Sequence, residues 1–203
     1  MKLLHIDSSI LGANSVSRQV SAAIVERLRA ATPDLEVIYR DLAAAPPSHL
    51  TGGQFAARFG AAPEDAEDQA QVAAGEAVLA EFLAADIIVI GAPMYNFTLP
   101  TQLKAWVDRI VIAGKTFRYG ANGPEGLAGG KRVIIALSRG GLYGQGAPAE
   151  AFEHVEGYLR SIFAFMGIAN PQFIVAEGIQ IGPDQRAQAL DKALRAAGEL
   201  QAA

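Results

Sequence analysis

Three short segments of this chain hold side chains suited to chemistry. In the first, Ser9, Ser15 and Ser17 place three hydroxyls around Gly12 and Asn14. Hydroxyl donors beside the unpaired N–H groups of a helix start suit a phosphate monoester. In the second, Met94, Tyr95, Asn96 and Phe97 lie between Pro93 and Pro100. Two prolines stiffen that stretch, and soft, flat side chains on a stiff loop suit contact with an aromatic ring. In the third, Ser138-Arg139-Gly140-Gly141 opens a run with further glycines at 144 and 146. Such a run lets backbone approach a ligand closely. Each segment also has a plainer reading: Asn14 or Ser15 as a helix N-cap, the aromatics of 94–97 docked into the core, and the glycine run as a mobile linker.

Other chemistries find little support. His5, His49 and His154 are scattered, and no His/Asp/Glu cluster has ligand spacing, so no metal site is expected. His5 sits inside an apolar run and reads as a packed core histidine. The absence of cysteine excludes disulfides, thiolate catalysis and iron–sulfur ligation. Ala136-Leu137-Ser138-Arg139-Gly140 is one residue from a G-x-S-x-G nucleophile elbow. A glycine-rich loop follows it instead of a helix, and no Asp lies between Ser138 and the last histidine, so a hydrolase is set aside. No G-x-G-x-x-G run follows the first strand, which argues against a dedicated dinucleotide crevice.

The 203 residues suffice for one substantial domain, and 51% hydrophobic against 19% charged residues is a globular profile. A formal net charge of −4 with no basic patch argues against nucleic acid as a partner. No apolar run reaches the roughly 18–20 residues of a membrane helix, and the N-terminus runs directly into a strand without a signal-peptide pattern. A cytoplasmic protein is the expectation.

The elements that must position the three segments alternate. Strands are expected at 2–6, 35–39, 86–91, 131–137 and 172–176. Val16, Val20, Ile24 and Leu28 form one stripe of a helix over 16–31. Further helices are expected at 64–84, 100–110, 149–166 and 183–200, with an irregular stretch at 43–63 and an excursion at about 111–130. The Ile87-Ile88-Val89-Ile90 run is the clearest strand, of the kind buried in a parallel sheet. Strand and helix alternating five times imply an α/β fold: a doubly wound, five-stranded parallel sheet with helices on both faces. Ligands of such sheets bind at the carboxyl ends of the strands, where the loops 7–17, 92–99 and 138–147 would converge.

With those residues in place, the chain resembles the flavodoxin-like FMN-dependent NADH:azoreductases, also called FMN-dependent NADH:quinone oxidoreductases. The resemblance covers nearly the whole length, and treats 1–203 as a single FMN-binding domain. It rests on D-S-S at 7–9, N-S-x-S-R at 14–18, P-M-Y-N-F at 93–97, G-K-T-F-R-Y at 114–119, N-G-P at 122–124 and S-R-G-G at 138–141. It implies a sheet order of 2-1-3-4-5 and FMN held tightly without a covalent bond. Ser9, Ser15, Val16 and Ser17 would hold the phosphate, the valine through its backbone. Met94, Tyr95, Asn96 and Phe97 would lie along the ribityl chain and ring, with Ser138, Arg139, Gly140 and Gly141 bordering the ring. No side chain is expected to act as acid or base. NADH would donate electrons to quinones or azo compounds from above the flavin. Members are homodimers whose subunits share each pocket, with Phe117, Tyr119 and Phe163 as lining candidates. The middle residue of the S-x-S triplet is often glutamine in the family; here it is Val16, a change that a backbone contact tolerates. A non-catalytic or electron-carrier flavodoxin-like protein is the alternative. Carriers are typically more acidic and lack the 111–130 excursion.

Overall fold

A computed structural model describes residues 1–201. Its elements in chain order are β1 (Lys2–Asp7), α1 (Val16–Ala31), β2 (Glu36–Asp41), α2 (Gly52–Ala57), α3 (Ala66–Ala84), β3 (Ile87–Pro93), α4 (Thr101–Ile110), β4 (Phe117–Gly120), β5 (Gly123–Gly126), β6 (Arg132–Arg139), α5 (Val155–Phe165), β7 (Gln172–Glu177) and α6 (Pro183–Gly198). Five strands form one sheet in the order β2-β1-β3-β6-β7, all pairs parallel. This is the expected order once the small β4–β5 hairpin is numbered.

Alternation along the strands sorts side chains into two apolar clusters, because successive residues of a strand point to opposite faces. Leu3, Ile87, Val89 and Ile134 pack with Val16, Val20, Ile24 and Leu28 of α1 and with the alanines of α6. Leu4, Ile6, Ile88, Ile90 and Ile135 pack with Phe82 of α3, Trp106 of α4 and Phe163 of α5. Every residue of β3 is buried, as a strand covered on both faces requires.

Several boundaries differ from the sequence expectation. β2 runs from 36 to 41, not 35 to 39, because Arg40 and Asp41 continue the ladder opposite Ile6 and Asp7. β3 and β6 run on to Pro93 and Arg139, which pair as Pro93 with Ser138 at the end of the ladder. Ala92, Pro93, Ser138 and Arg139 are therefore strand residues, not loop. The helix expected at 149–166 breaks into a 3-10 turn at Glu150–Phe152 and α5. Glu153 is extended between them, and its carboxylate accepts from the N–H groups of Val155 and Glu156. That carboxylate serves the donors of the first turn and marks where α5 begins.

The excursion 111–130 contains the β4–β5 hairpin. Its return strand presses on the end of α5: a Cβ added to Gly126 would lie 2.0 Å from the Gly167 nitrogen. Ala128 donates from its backbone to the Met166 carbonyl at 2.9 Å nearby.

Candidate functional site

The first loop leaves β1 and enters α1. Ser15 is the N-cap of α1: its side chain accepts from the Arg18 N–H at 3.3 Å, so the plainer reading of this residue holds. It does not exhaust the loop. Val16 and Ser17 are the first two helical residues, and N–H groups at those positions have no intrahelical acceptor. The hydroxyls of Ser15 and Ser17 stand 3.0 Å apart. The Ser9 hydroxyl lies 3.1 Å from the Tyr95 hydroxyl and accepts from the Leu11 N–H. Ser9, Ser15, Val16 and Ser17 are brought together, with Gly12 at a positive φ of 52° in the turn between them.

Beneath this loop lies a polar network drawn from β1, α1 and β2, buried at His5, Asp7 and Ser21 and open to solvent at Tyr39. The Arg18 guanidinium donates to the Ser9 carbonyl from Nε at 3.1 Å and from Nη2 at 2.8 Å. It also grips Asp41 with two bonds of 2.8 and 2.7 Å and donates to the Tyr39 hydroxyl at 3.0 Å. Tyr39 donates to Asp7, which also accepts from Ser21 at 2.8 Å. His5 is buried and meets Ser21 at 3.0 Å, as a core histidine should. The Arg18 bond holds the Asp41 carboxyl below the usual carboxylate range against the opposing effect of burial, with help from the Ala43 and Ala44 N–H groups. Burial, with the nearby Asp7 and Asp41 charges, pushes the Tyr39 phenol up. A Cβ on Gly91 would lie 2.2 Å from the Asp7 carboxylate, so β3 must carry glycine here.

The second loop is a tight turn. Tyr95 and Thr98 exchange backbone hydrogen bonds of 2.8 and 3.1 Å. The two residues between them both have positive φ, 47° at Asn96 and 70° at Phe97. That is the sign pattern of a type I′ turn, uncommon for Asn and strained for Phe. Among the described residues, neither the Asn96 nor the Phe97 N–H donates within the chain. The side chains diverge. Met94 packs against the core, the Tyr95 hydroxyl joins Ser9 and the Ile10 N–H, and Phe97 stands 45% exposed. The core-docking reading therefore fits Met94 and fails for Phe97. The Phe97 ring instead meets Tyr143 at 6.2 Å and Phe152 at 5.3 Å, which joins this loop to the third.

The third loop is tied down, so it is not a loose linker. The carbonyls of Gly140 and Gly141 accept from Gln180 and Gly178, both at 2.9 Å. Glu177 accepts from the N–H groups of Tyr143 and Gly144. The glycines make close approaches inside the protein: a Cβ on Gly141 would lie 3.1 Å from the Tyr143 ring, and one on Gly144 3.0 Å from Glu177. Ser138 is buried, and its carbonyl accepts from the Met94 N–H at 2.8 Å. Arg139 is turned inward. The residue is 3% exposed, with its guanidinium bonded to Glu156 at 2.8 Å and near Glu153 and Glu177. Its position at the loop edge is expressed through backbone alone.

The lining candidates separate. Phe117 is buried, with its ring tilted against Phe165 at 4.6 Å and edge-on to Tyr119 at 5.6 Å, while Tyr119 is 76% exposed. Phe163 differs from expectation: it is fully buried in the core with Trp106, because it falls on the inner face of α5. Two surface grooves of about 420 and 460 Å³ lie around α3, lined by none of the three loops. The residues that sequence reading missed are Arg18, Tyr39 and Asp41. The only signal was the arginine closing N-S-x-S-R, whose β2 partners Tyr39 and Asp41 lie more than twenty residues away.

The comparisons agree with one another. A family model described as "Flavodoxin-like fold" matches residues 1–200. FMN-dependent NADH:quinone oxidoreductase 2 of Bradyrhizobium diazoefficiens is 66% identical over 203 residues, covering 100% of both chains. The solved azoreductase from Bacillus anthracis is 30% identical, with a TM-score of 0.86 over 98% of this chain and 100% of that one. An FMN-dependent NADH-azoreductase from the same organism, solved in complex with FMN, is 24% identical with a TM-score of 0.88 over 98% and 96% of the two chains.

Proposed function

This chain belongs to the flavodoxin-like family, with FMN-dependent NADH:quinone oxidoreductases as its near relatives, and on that premise we propose that it is such an enzyme. Its cofactor is FMN, held without a covalent bond, and its electron donor is NADH. Its acceptors are quinones and azo compounds. When bound, FMN supplies the redox chemistry: two-electron hydride transfer through N5, from NADH and then to the acceptor, in ping-pong order.

The chain's own residues bind and orient. One observation carries the reading: the Tyr95 hydroxyl joins Ser9 at 3.1 Å, so the serine loop and the Asn96–Phe97 turn are fixed on one edge of the sheet. Hydroxyls and helix-start N–H groups of Ser9, Ser15, Val16 and Ser17 suit a phosphate. The undonated N–H groups of Asn96 and Phe97 suit ring nitrogens or carbonyls and would stabilise negative charge there. Met94 and Tyr95 would flank the ribityl chain. The backbone of Ser138, Arg139, Gly140 and Gly141 would border the ring.

We take residues 1–203 as a single domain with a doubly wound sheet, a reading the two apolar clusters support. We take the working form as a cytoplasmic homodimer whose subunits share each pocket. Exposed Tyr119 on the hairpin suits that role, and Phe117 supports it from below. No described helix is long and apolar enough to cross a membrane. The electron-carrier alternative loses ground to the named relatives, which are enzymes.

The test is purification without added cofactor. We expect a yellow protein with bound FMN whose NADH oxidation depends on added menadione. A colourless protein that takes up no FMN would refute the reading.

A further inference from the structure

We propose that Arg18 is a positioning residue for the FMN phosphate, acting by holding the Ser9 carbonyl in place and not through its own charge; this rests on the FMN reading above. Arginine has five N–H donors in a fixed fork. Here the fork is fully engaged. Nε donates to the Ser9 carbonyl, Nη2 to the Ser9 carbonyl and Asp41, and Nη1 to Asp41 and Tyr39. No N–H of this guanidinium remains for a phosphate oxygen.

The placement explains what the side chain does instead. Arg18 lies in the first turn of α1, where its backbone N–H is capped by Ser15. Its side chain reaches back across the loop to Ser9, two residues beyond the end of β1. One residue thus ties the two halves of the donor set, Ser9 on one side and Ser15 to Ser17 on the other. Asp41 anchors the fork from β2 and is itself fixed by the Ala43 and Ala44 N–H groups at 2.9 and 3.2 Å. Tyr39 bridges the fork to Asp7.

Charge and position predict opposite signs for one substitution. Asp41→Asn removes a negative charge near a phosphate dianion, so charge alone predicts tighter FMN. Loss of the anchor predicts weaker FMN. Arg18→Lys keeps the charge and loses the fork. Riboflavin lacks the phosphate and reports on everything else in the site.

The experiment is fluorescence titration of the full chain with FMN and with riboflavin, for wild type, Asp41→Asn, Arg18→Lys and Tyr39→Phe. In Asp41→Asn and Arg18→Lys the FMN Kd should rise about tenfold, the size of one charged hydrogen bond, with the riboflavin Kd unchanged. Tyr39→Phe keeps the ring packing, and a smaller rise of the same selectivity is expected from it. Equal or tighter FMN binding by Asp41→Asn overturns the proposal, as does proportional weakening of both flavins. Failure of the wild type to take up FMN overturns instead the reading on which it rests.

Discussion

Ser15 does two jobs with one oxygen. It caps α1 through the Arg18 N–H and stands 3.0 Å from the Ser17 hydroxyl, within the cluster proposed to meet a phosphate. Replacing both serines by alanine removes the cap and two donors. The cap alone is worth about 1 kcal/mol of stability, so a fall in melting temperature is expected. Each donor to a charged group is worth about 1.5–3 kcal/mol, so FMN retention should fall by at least about tenfold. The rate per bound flavin should hardly change, because the serines anchor a remote group and touch no reacting atom. Flavin absorbance per chain, measured beside turnover, checks this; a large loss of rate with FMN still bound would refute the anchoring role. The same loop shows what was readable at this scale. Hydroxyl clusters announce themselves in sequence. The strained φ of Phe97 does not, since nothing in P-M-Y-N-F distinguishes a type I′ turn from an extended loop.

At the scale of elements, periodicity placed α1 at its observed bounds and found all five sheet strands. Its errors fell at strand ends, at the start of α3 and the end of α6 by two residues each, and at α5. β3 and β6 continue into residues read as loop because each satisfies the other's backbone groups as far as Pro93 and Ser138. α5 starts late because the Glu153 carboxylate, not a residue near 149, serves its first N–H groups. The β4–β5 hairpin depends on a contact of the same kind, backbone against backbone at Gly126 and Gly167. Gly126→Val would force β5 away from the turn that ends α5. Overpacking of this kind costs about 1–3 kcal/mol, and the hairpin should swing away while the sheet stays folded. We expect an unchanged FMN Kd and a raised KM for the quinone, because Phe117 and Tyr119 ride on β4. A raised FMN Kd with an unchanged quinone KM would show that the hairpin has another purpose.

At the scale of the molecule, a large aromatic side chain at 76% exposure on the hairpin, with Leu127 exposed just past β5, asks for a cover. On the proposed dimer a second copy would provide one, and sedimentation should then give twice the chain mass. Tyr119→Asp should shift the protein toward monomer and depress quinone turnover more than FMN content; a Tyr119→Asp protein that stays fully dimeric with normal turnover would remove this residue from the interface and the pocket. The order of strands and helices, the three loops at one sheet edge and the cluster of hydroxyls proposed to meet a phosphate were all legible in the amino-acid order, because each is a local pattern of period, turn residue or motif. Three features were not. Phe163 is inward because the pitch of α5 turns it toward Trp106. Arg139 faces its three carboxylates because β6 runs two residues further than its apolar pattern. The Arg18 clamp exists because parallel pairing sets Asp7 opposite Asp41, two strand ends that lie 34 positions apart in the chain. Register and packing are settled by which faces bury together, and that is a property of the assembled sheet, not of any one segment.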